Sequence, residues 1–183
     1  DVDILAAPGV AANPPDRCYY CKKALFTRLI AAAAADGLPL VADGSNASDD
    51  ASDRPGMRAL RELGVRSPLR ECGVTKSEIR RLAAEAALPV WNKPSYACLA
   101  TRIPAGTAIT AGDLGRVARG EAAFAAAGLS DFRLRLRGGD GLLQVRREQM
   151  ALAQAILPDL QLRLAGDFGS IMLDSSARES RET

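Results

Sequence analysis

The chain contains no histidine. That removes imidazole from both of its usual roles, as a general base poised near neutral pH and as the commonest nitrogen ligand of metals. Acid–base work and metal ligation therefore fall to Asp, Glu, Cys, Lys or Tyr. Aromatic residues make up only 4% of the 183 residues, and no long apolar run exists; the five alanines Ala31 to Ala35 are a helical stretch far short of a membrane span. Net charge is only +2, so there is no global electrostatic case for nucleic acid or membrane, although arginine is clustered locally. No secretory signal is read, and four cysteines then point to a reducing cytosol, where Cys-x-x-Cys is more often metal-binding or redox-active than structural. An initiator methionine is also lacking; a start at Asp1 suggests a piece of a longer protein.

What is present begins with thiols. Cys18-Tyr19-Tyr20-Cys21 opens a helical segment, which puts two sulfurs on one face about a turn apart, and Cys98 lies far along the chain in Lys93-Pro94-Ser95-Tyr96-Ala97-Cys98-Leu99-Ala100-Thr101-Arg102. Three thiolates brought together form a soft site that suits an iron–sulfur cluster with one iron left open. A redox dithiol is disfavoured because no strand immediately precedes the pair, and a zinc site using Cys72 as well lacks a second Cys-x-x-Cys. Cys72 reads as a small buried or incidental residue.

Periodicity predicts a helix over 19–36 with Leu25, Leu29 and Ile30 on one side and Gly37 as its stop. Pro39 to Ala42 reads as a short buried strand leading into Asp43-Gly44-Ser45-Asn46, and Ser52-Asp53-Arg54-Pro55 starts a helix to about Leu63. Thr75-Lys76-Ser77-Glu78 is a capping box ahead of a buried stripe of Ile79, Leu82 and Ala86. Residues 94–106 read as an ordered loop and hinge. Beyond them come a helix over 110–127, strands over 132–136 and 142–145 about a Gly138-Gly139 turn, a helix over 149–157 and a last strand, Ile171 to Leu173.

On the strand from Phe132, residues Arg133, Arg135 and Arg137 share one face, with guanidinium stems about 7 Å apart, able to grip phosphate or carboxylate groups bidentately. A solvated strand face is the plain alternative. Glu121, on the preceding helix, can pair with this row or simply be solvated. Asp43, Asp49, Asp50 and Asp53 form a carboxylate-rich loop that can hold magnesium through one or two oxygens or simply make turns.

Asn13-Pro14-Pro15-Asp16-Arg17-Cys18-Tyr19-Tyr20-Cys21-Lys22-Lys23, Asp43-Gly44-Ser45-Asn46 with its trailing aspartates and Arg54-Pro55-Gly56, Ser67-Pro68-Leu69 before Thr75-Lys76-Ser77-Glu78, and Lys93-Pro94-Ser95 through Cys98-Leu99-Ala100-Thr101-Arg102-Ile103-Pro104 form an ordered series. Together they resemble the LarE family of ATP-dependent sulfur transferases, PP-loop pyrophosphatases that help build the nickel-pincer nucleotide cofactor of lactate racemase. The resemblance runs from Asn13 to about Val145. It implies an α/β fold: a PP-loop, HUP-like domain with a parallel sheet, lacking its N-terminal part, over residues 1–106, and a smaller α+β domain for substrate binding or oligomerisation over 107–183.

The resemblance also implies a reaction. ATP adenylylates a carboxylate of pyridinium-3,5-dicarboxylate mononucleotide, and sulfur then displaces AMP to give a thiocarboxylate. Carried over residue by residue, Cys98 is the sulfur-bearing cysteine and, with Cys18 and Cys21, a ligand of a 4Fe-4S cluster, while Glu121 is the acidic catalytic position. Thr101, Arg102, Arg133, Arg135 and Arg178 are substrate contacts, and Asp43, Asn46, Asp49 and Arg54 form the loop for ATP and magnesium. Sacrifice of the Cys98 sulfur, a cluster-dependent tRNA thiolase and a non-catalytic zinc-stabilised interaction domain are the alternatives. Three departures matter: the family's Ser-Gly-Gly-x-Asp-Ser phosphate loop is absent, so the chain alone is expected not to adenylylate; Gln144 stands where glutamate is usual; and Leu173-Asp174-Ser175-Ser176-Ala177-Arg178 matches the C-terminal arginine segment only loosely. A homo-oligomer in the cytoplasm, without nucleic acid or membrane partners, is the family expectation.

Overall fold

Helix dominates the first half of the chain, and a small sheet appears only in the second. This is a computed structural model, and it describes residues 2–49, 54–176 and 178. Contacts divide it into two units that meet in sequence at Lys93 and Pro94. Residues 94–106, placed by the sequence at the end of the first domain, make their hydrogen bonds with the second unit, through Arg102 to Glu121 and Arg135 to Thr101.

In the first unit, α1 (Arg17–Ala35) runs through the alanine stretch, whose small side chains carry little entropic cost in a helix. It ends at Gly37, which takes the left-handed φ of 73° while Leu38 N donates to Ala33 O at 2.8 Å, the closing bond of a glycine C-cap. α1 packs against α2 (Pro55–Glu62), whose proline fits the first turn and whose Met57, Ala59 and Leu60 are buried. A short α3 (Pro68–Glu71) and α4 (Lys76–Glu85) follow. The capping box at α4 is fully formed: Thr75 Oγ1 accepts from Glu78 N at 3.3 Å, and Thr75 N donates to Glu78 Oε2 at 2.7 Å.

Three expectations for this unit are corrected. Leu29 on α1 is exposed, as are Leu82 and Ala86 on α4, with Ile79 half-buried, so neither stripe forms a core face in the described residues. The expected buried strand at 39–42 is reduced to one parallel bridge, Ala42 to Arg66, with Leu40 58% exposed. Leu25 and Ile30 are half-buried, and apolar spacing alone does not supply the element that would cover a stripe completely. The parallel sheet of the expected PP-loop domain is accordingly represented here by that bridge alone.

The second unit is better covered. α5 (Ala111–Ala126) starts on Thr110, whose hydroxyl accepts from Asp113 N at 3.0 Å. β1 (Arg133–Arg137) and β2 (Asp140–Gln144) form an antiparallel hairpin about Gly138 and Gly139; α6 (Met150–Arg163) then crosses back so that β3 (Ile171–Leu173) pairs parallel with β2, giving the order β1-β2-β3. Alternation is strict on β1: Leu134 and Leu136 are buried with Val117, Phe124, Leu143, Leu160 and Phe168, while the arginines take the opposite face. Mixed helix and strand with a small sheet is therefore the observed class.

Candidate functional site

Two constellations form, one in each unit. In the second, the centre is Arg102, 1% exposed, on a 3-10 turn over Leu99–Arg102. Its guanidinium donates to both oxygens of Glu121, Nε to Oε1 at 2.7 Å and Nη2 to Oε2 at 3.2 Å, a fork-on-fork pair. Nη1 donates to Thr101 Oγ1 at 2.9 Å and to Ala97 O at 3.3 Å. Glu121, also buried, accepts further from Leu134 N at 3.1 Å and from the Tyr96 hydroxyl at 2.7 Å. The Arg102 guanidinium lies 5.1 Å from the Tyr96 ring centroid. A buried ion pair is tolerable only when its remaining donors and acceptors are satisfied, and here they are. The pair binds three pieces of chain together: α5, β1 and the loop carrying Cys98.

Cys98 itself is exposed and precedes the 3-10 turn. Its carbonyl accepts from Thr101 N at 3.0 Å and Thr101 Oγ1 at 2.8 Å, so the backbone under the thiol is held while the sulfur side stays open. Thr101 is thus occupied in supporting this loop.

The arginine row lies alongside. Arg135 donates from Nε to Gln144 Oε1 at 2.6 Å and from Nη1 to Thr101 O at 3.4 Å, and Gln144 Nε2 continues to Asp174 Oδ2 at 2.8 Å. Arg178 is committed to Asp131, through its carbonyl at 2.5 Å and its carboxylate, and so holds a residue whose φ of 47° is left-handed. The Arg133 side chain has no hydrogen bond or ion pair among the described residues, although the residue is half-buried. Burial, then the charges of Arg178, Arg102 and Arg135, push its guanidinium below the usual arginine range; Arg135 is lowered by burial and by Arg102, Arg137 and Arg178. Cations crowded this way with unused donors favour an anion.

The first unit joins the Cys-x-x-Cys helix to the aspartate loop. Cys18 is exposed and Cys21 half-buried, three residues apart in the opening turns of α1. Lys22, which spacing did not single out, lies 3.7 Å from Asp43. Asp43 Oδ2 accepts from Ser45 Oγ at 2.6 Å, Oδ1 from Ser67 Oγ at 2.7 Å, and Ser45 Oγ also reaches Met57 Sδ of α2 at 3.5 Å. Burial alone would raise the Asp43 carboxyl, but these hydroxyls, the Ser45 amide and Lys22 outweigh it and hold it below the usual range. Asp49 accepts from Asn46 N and Nδ2, each at 3.0 Å, and from Arg54 at 2.8 Å. Both described loop carboxylates are thereby occupied by donors from the loop itself and from Lys22, Arg54 and Ser67. Asp50 and Asp53, with Ser52, lie outside the described residues. Gly56 is the signal that could have found this junction: an added Cβ would sit 3.0 Å from Lys22 Cδ and 3.5 Å from Cys18 O.

Among the described residues, no group of three or more Cys, Asp or Glu side chains is placed to hold a metal ion. Cys18 and Cys21 fall in the first unit and Cys98 in the second. Cys72 is exposed, which removes the buried option of the two expected for it. No described helix is long and apolar enough to cross a membrane.

These features define a mixed helix-and-strand chain with a cysteine loop anchored by a buried ion pair beside an arginine cluster. The chain is similar to the pyridinium-3,5-bisthiocarboxylic acid mononucleotide synthase of Lactiplantibacillus plantarum, at 35% identity over 134 residues, which is 73% of this chain and 49% of that protein. It is also similar to uncharacterized proteins of Synechocystis sp., 41% over 131 residues (72% of this chain, 49% of that protein), and of Methanocaldococcus jannaschii, 32% over 117 residues (64% and 46%). The chain thus spans about half the length of the curated relatives it matches. No family model matches it.

Proposed function

We propose that the chain belongs to the LarE family and forms part of an ATP-dependent sulfur transferase acting on pyridinium-3,5-dicarboxylate mononucleotide. The observation that carries this reading is Arg133, half-buried among Arg102, Arg135 and Arg178 with its donors unused, beside a loop that presents Cys98. Similarity to a synthase of the bisthiocarboxylic acid mononucleotide supports it.

In this reading Arg133 and Arg135 receive the phosphate or carboxylates of the mononucleotide. Arg102 and Glu121 are positioning residues, since their polar atoms are already paired, and Arg178 acts through Asp131. ATP and magnesium belong to the loop of Asp43, Asn46, Asp49 and Arg54, which would have to release some of its internal bonds to a cation. The sulfur step is attack on the carbonyl carbon of the acyl-adenylate, a C–S bond forming as the C–O bond to AMP breaks and AMP leaves with the electron pair. If Cys98 gives up its own sulfur, its Cβ–S bond breaks and its α-proton is lost, leaving dehydroalanine.

Cys18, Cys21 and Cys98 are the donor type for a 4Fe-4S cluster, which would supply a replaceable sulfide. The described residues do not bring three donors to one point, so no step is assigned to it.

Calorimetric titration of the mononucleotide into the chain tests the substrate assignment. Arg133→Ala should weaken binding about 10-fold or more, the scale of lost charged hydrogen bonds; unchanged affinity would remove Arg133 from the site. Iron and labile sulfide measured after anaerobic reconstitution decide the sulfur source: about four irons, lost on replacing any of the three cysteines, support the cluster, and their absence leaves Cys98 as the donor.

A further inference from the structure

Gln144 closes β2 and lies opposite Arg133 in the β1–β2 register, yet its side chain reaches diagonally to Arg135. Oε1 accepts from Arg135 Nε at 2.6 Å, and Nε2 donates to Asp174 Oδ2 at 2.8 Å. The other oxygen of Asp174 accepts from Ser176 Oγ at 2.7 Å and Ser176 N at 3.0 Å. The bonds from Gln144 and then Ser176 hold the Asp174 carboxyl below the usual range, so it is ionised at neutral pH. Its two partners leave the Gln144 amide one orientation, because a guanidinium only donates and an ionised carboxylate only accepts. A glutamate in its place would satisfy Arg135 but would face Asp174 as a like charge.

The neutral amide has a consequence for charge. It fixes Arg135 without neutralising it. The second bond of Arg135, from Nη1 to Thr101 O at 3.4 Å, is to a neutral carbonyl as well, and Nη2 makes none among the described residues. Arg102 is balanced by Glu121, whereas Asp131 is shared by Arg178 and Arg146. Burial and the neighbouring arginines outweigh Asp131 at Arg133 and Asp174 at Arg135. Two guanidinium charges, their stems about 7 Å apart on one face of β1, are therefore left without a carboxylate of their own. A doubly ionised anion balances both, and a singly charged one leaves one of them uncompensated.

We infer that Gln144 is the specificity-determining residue of this anion site: by holding Arg135 through a neutral carbonyl it keeps two positive charges open, and so selects a doubly ionised phosphate monoester over a singly charged anion. This rests on the reading of Arg133 and Arg135 as the receivers of the substrate's anionic groups.

The test is calorimetric titration of the whole chain with methyl phosphate and, separately, dimethyl phosphate. At about pH 8 the monoester, with a second pKa of about 6, is doubly ionised, while the diester carries one charge. The unaltered chain is expected to bind methyl phosphate about 10-fold or more tightly than dimethyl phosphate. Gln144→Glu should bring the two affinities within about threefold by weakening methyl phosphate. Because that variant sets two carboxylates side by side, Gln144→Glu with Asp174→Asn guards against misfolding. There the new carboxamide donates where the old carboxylate accepted, so both hydrogen bonds survive while the negative charge moves onto Arg135, and the preference should again be lost. No preference in the unaltered chain, or no binding of either probe, would overturn the inference. So would a preference that survives in the double variant, or equal weakening of both probes there, which would mark Gln144 as structural. Arg133→Ala separates the two readings: if it weakens methyl phosphate while the Gln144 variants keep the preference, only the role of Gln144 falls, and if it leaves methyl phosphate unaffected, the arginine row itself is not the anion site.

Discussion

Tyr96 shows how a single hydroxyl can report on the network under Cys98. Its ring is largely exposed, yet its oxygen meets the buried Glu121 carboxylate at 2.7 Å. Burial of that hydroxyl, then the hydrogen bond and charge of Glu121, push its pKa up to about 12. Since the folded value lies above the ordinary value of about 10, the contribution of this bond to stability is complete below about pH 10 and is lost as pH rises through about 12. Ultraviolet titration should therefore find a tyrosine ionising near 12, and that value should fall toward about 10 in Glu121→Gln. The absence of any tyrosine titrating near 12 in the unaltered chain would show that the Tyr96–Glu121 bond is absent in solution. The resemblance names Arg102 as a substrate contact and Glu121 as the acidic position, but nothing in the sequence shows that they satisfy each other, since 19 residues of chain separate them.

At the level of elements, legibility followed local chemistry. The Thr75 cap sits where the sequence places it, the Thr110 cap was not read from the sequence, and Gly37 and Gly128 stop their helices in left-handed φ of 73° and 99°. β1 alternates as predicted because period-two spacing fixes which side chains share a face. Close packing between elements was not readable. Gly120 on α5 is buried against β1, and an added Cβ would meet Leu134 Cδ2 at less than contact distance and Phe168 Cε2 at 3.1 Å. Gly120→Ala should destabilise the chain by about 1–3 kcal/mol through overpacking, despite alanine's better helix propensity. Urea unfolding at unchanged m-value measures this; a stabilised variant would mean that α5 and β1 separate more readily than the structure shows.

Across the whole molecule, the two units differ in how much apolar surface they enclose. The second buries Val117, Phe124, Leu134, Leu143, Leu160 and Phe168 around one sheet, whereas the first leaves Leu38, Leu40, Leu82, Leu88, Val90 and Trp91 exposed. Residues 94–178 produced alone should accordingly unfold in one cooperative thermal transition, because their buried ion pair and sheet lie within that span. A broad, non-cooperative melt would show that this core needs the rest of the chain.

What the sequence by itself determined is local and periodic: the helix caps, the hairpin turn, the arginine face of β1, the thiol pair one turn apart on α1, and the exclusion of imidazole chemistry. Each of these depends on neighbours within a few residues, where backbone geometry leaves few choices. Only the tertiary structure decided which charges are already paired. It joined Arg102 to Glu121 and Tyr96, Arg178 to Asp131, and Lys22 to Asp43, and it left the side chains of Arg133 and Arg17 without partners among the described residues. The physical reason is that an ion pair depends on distance in space, and distance between residues far apart in the chain is set by packing.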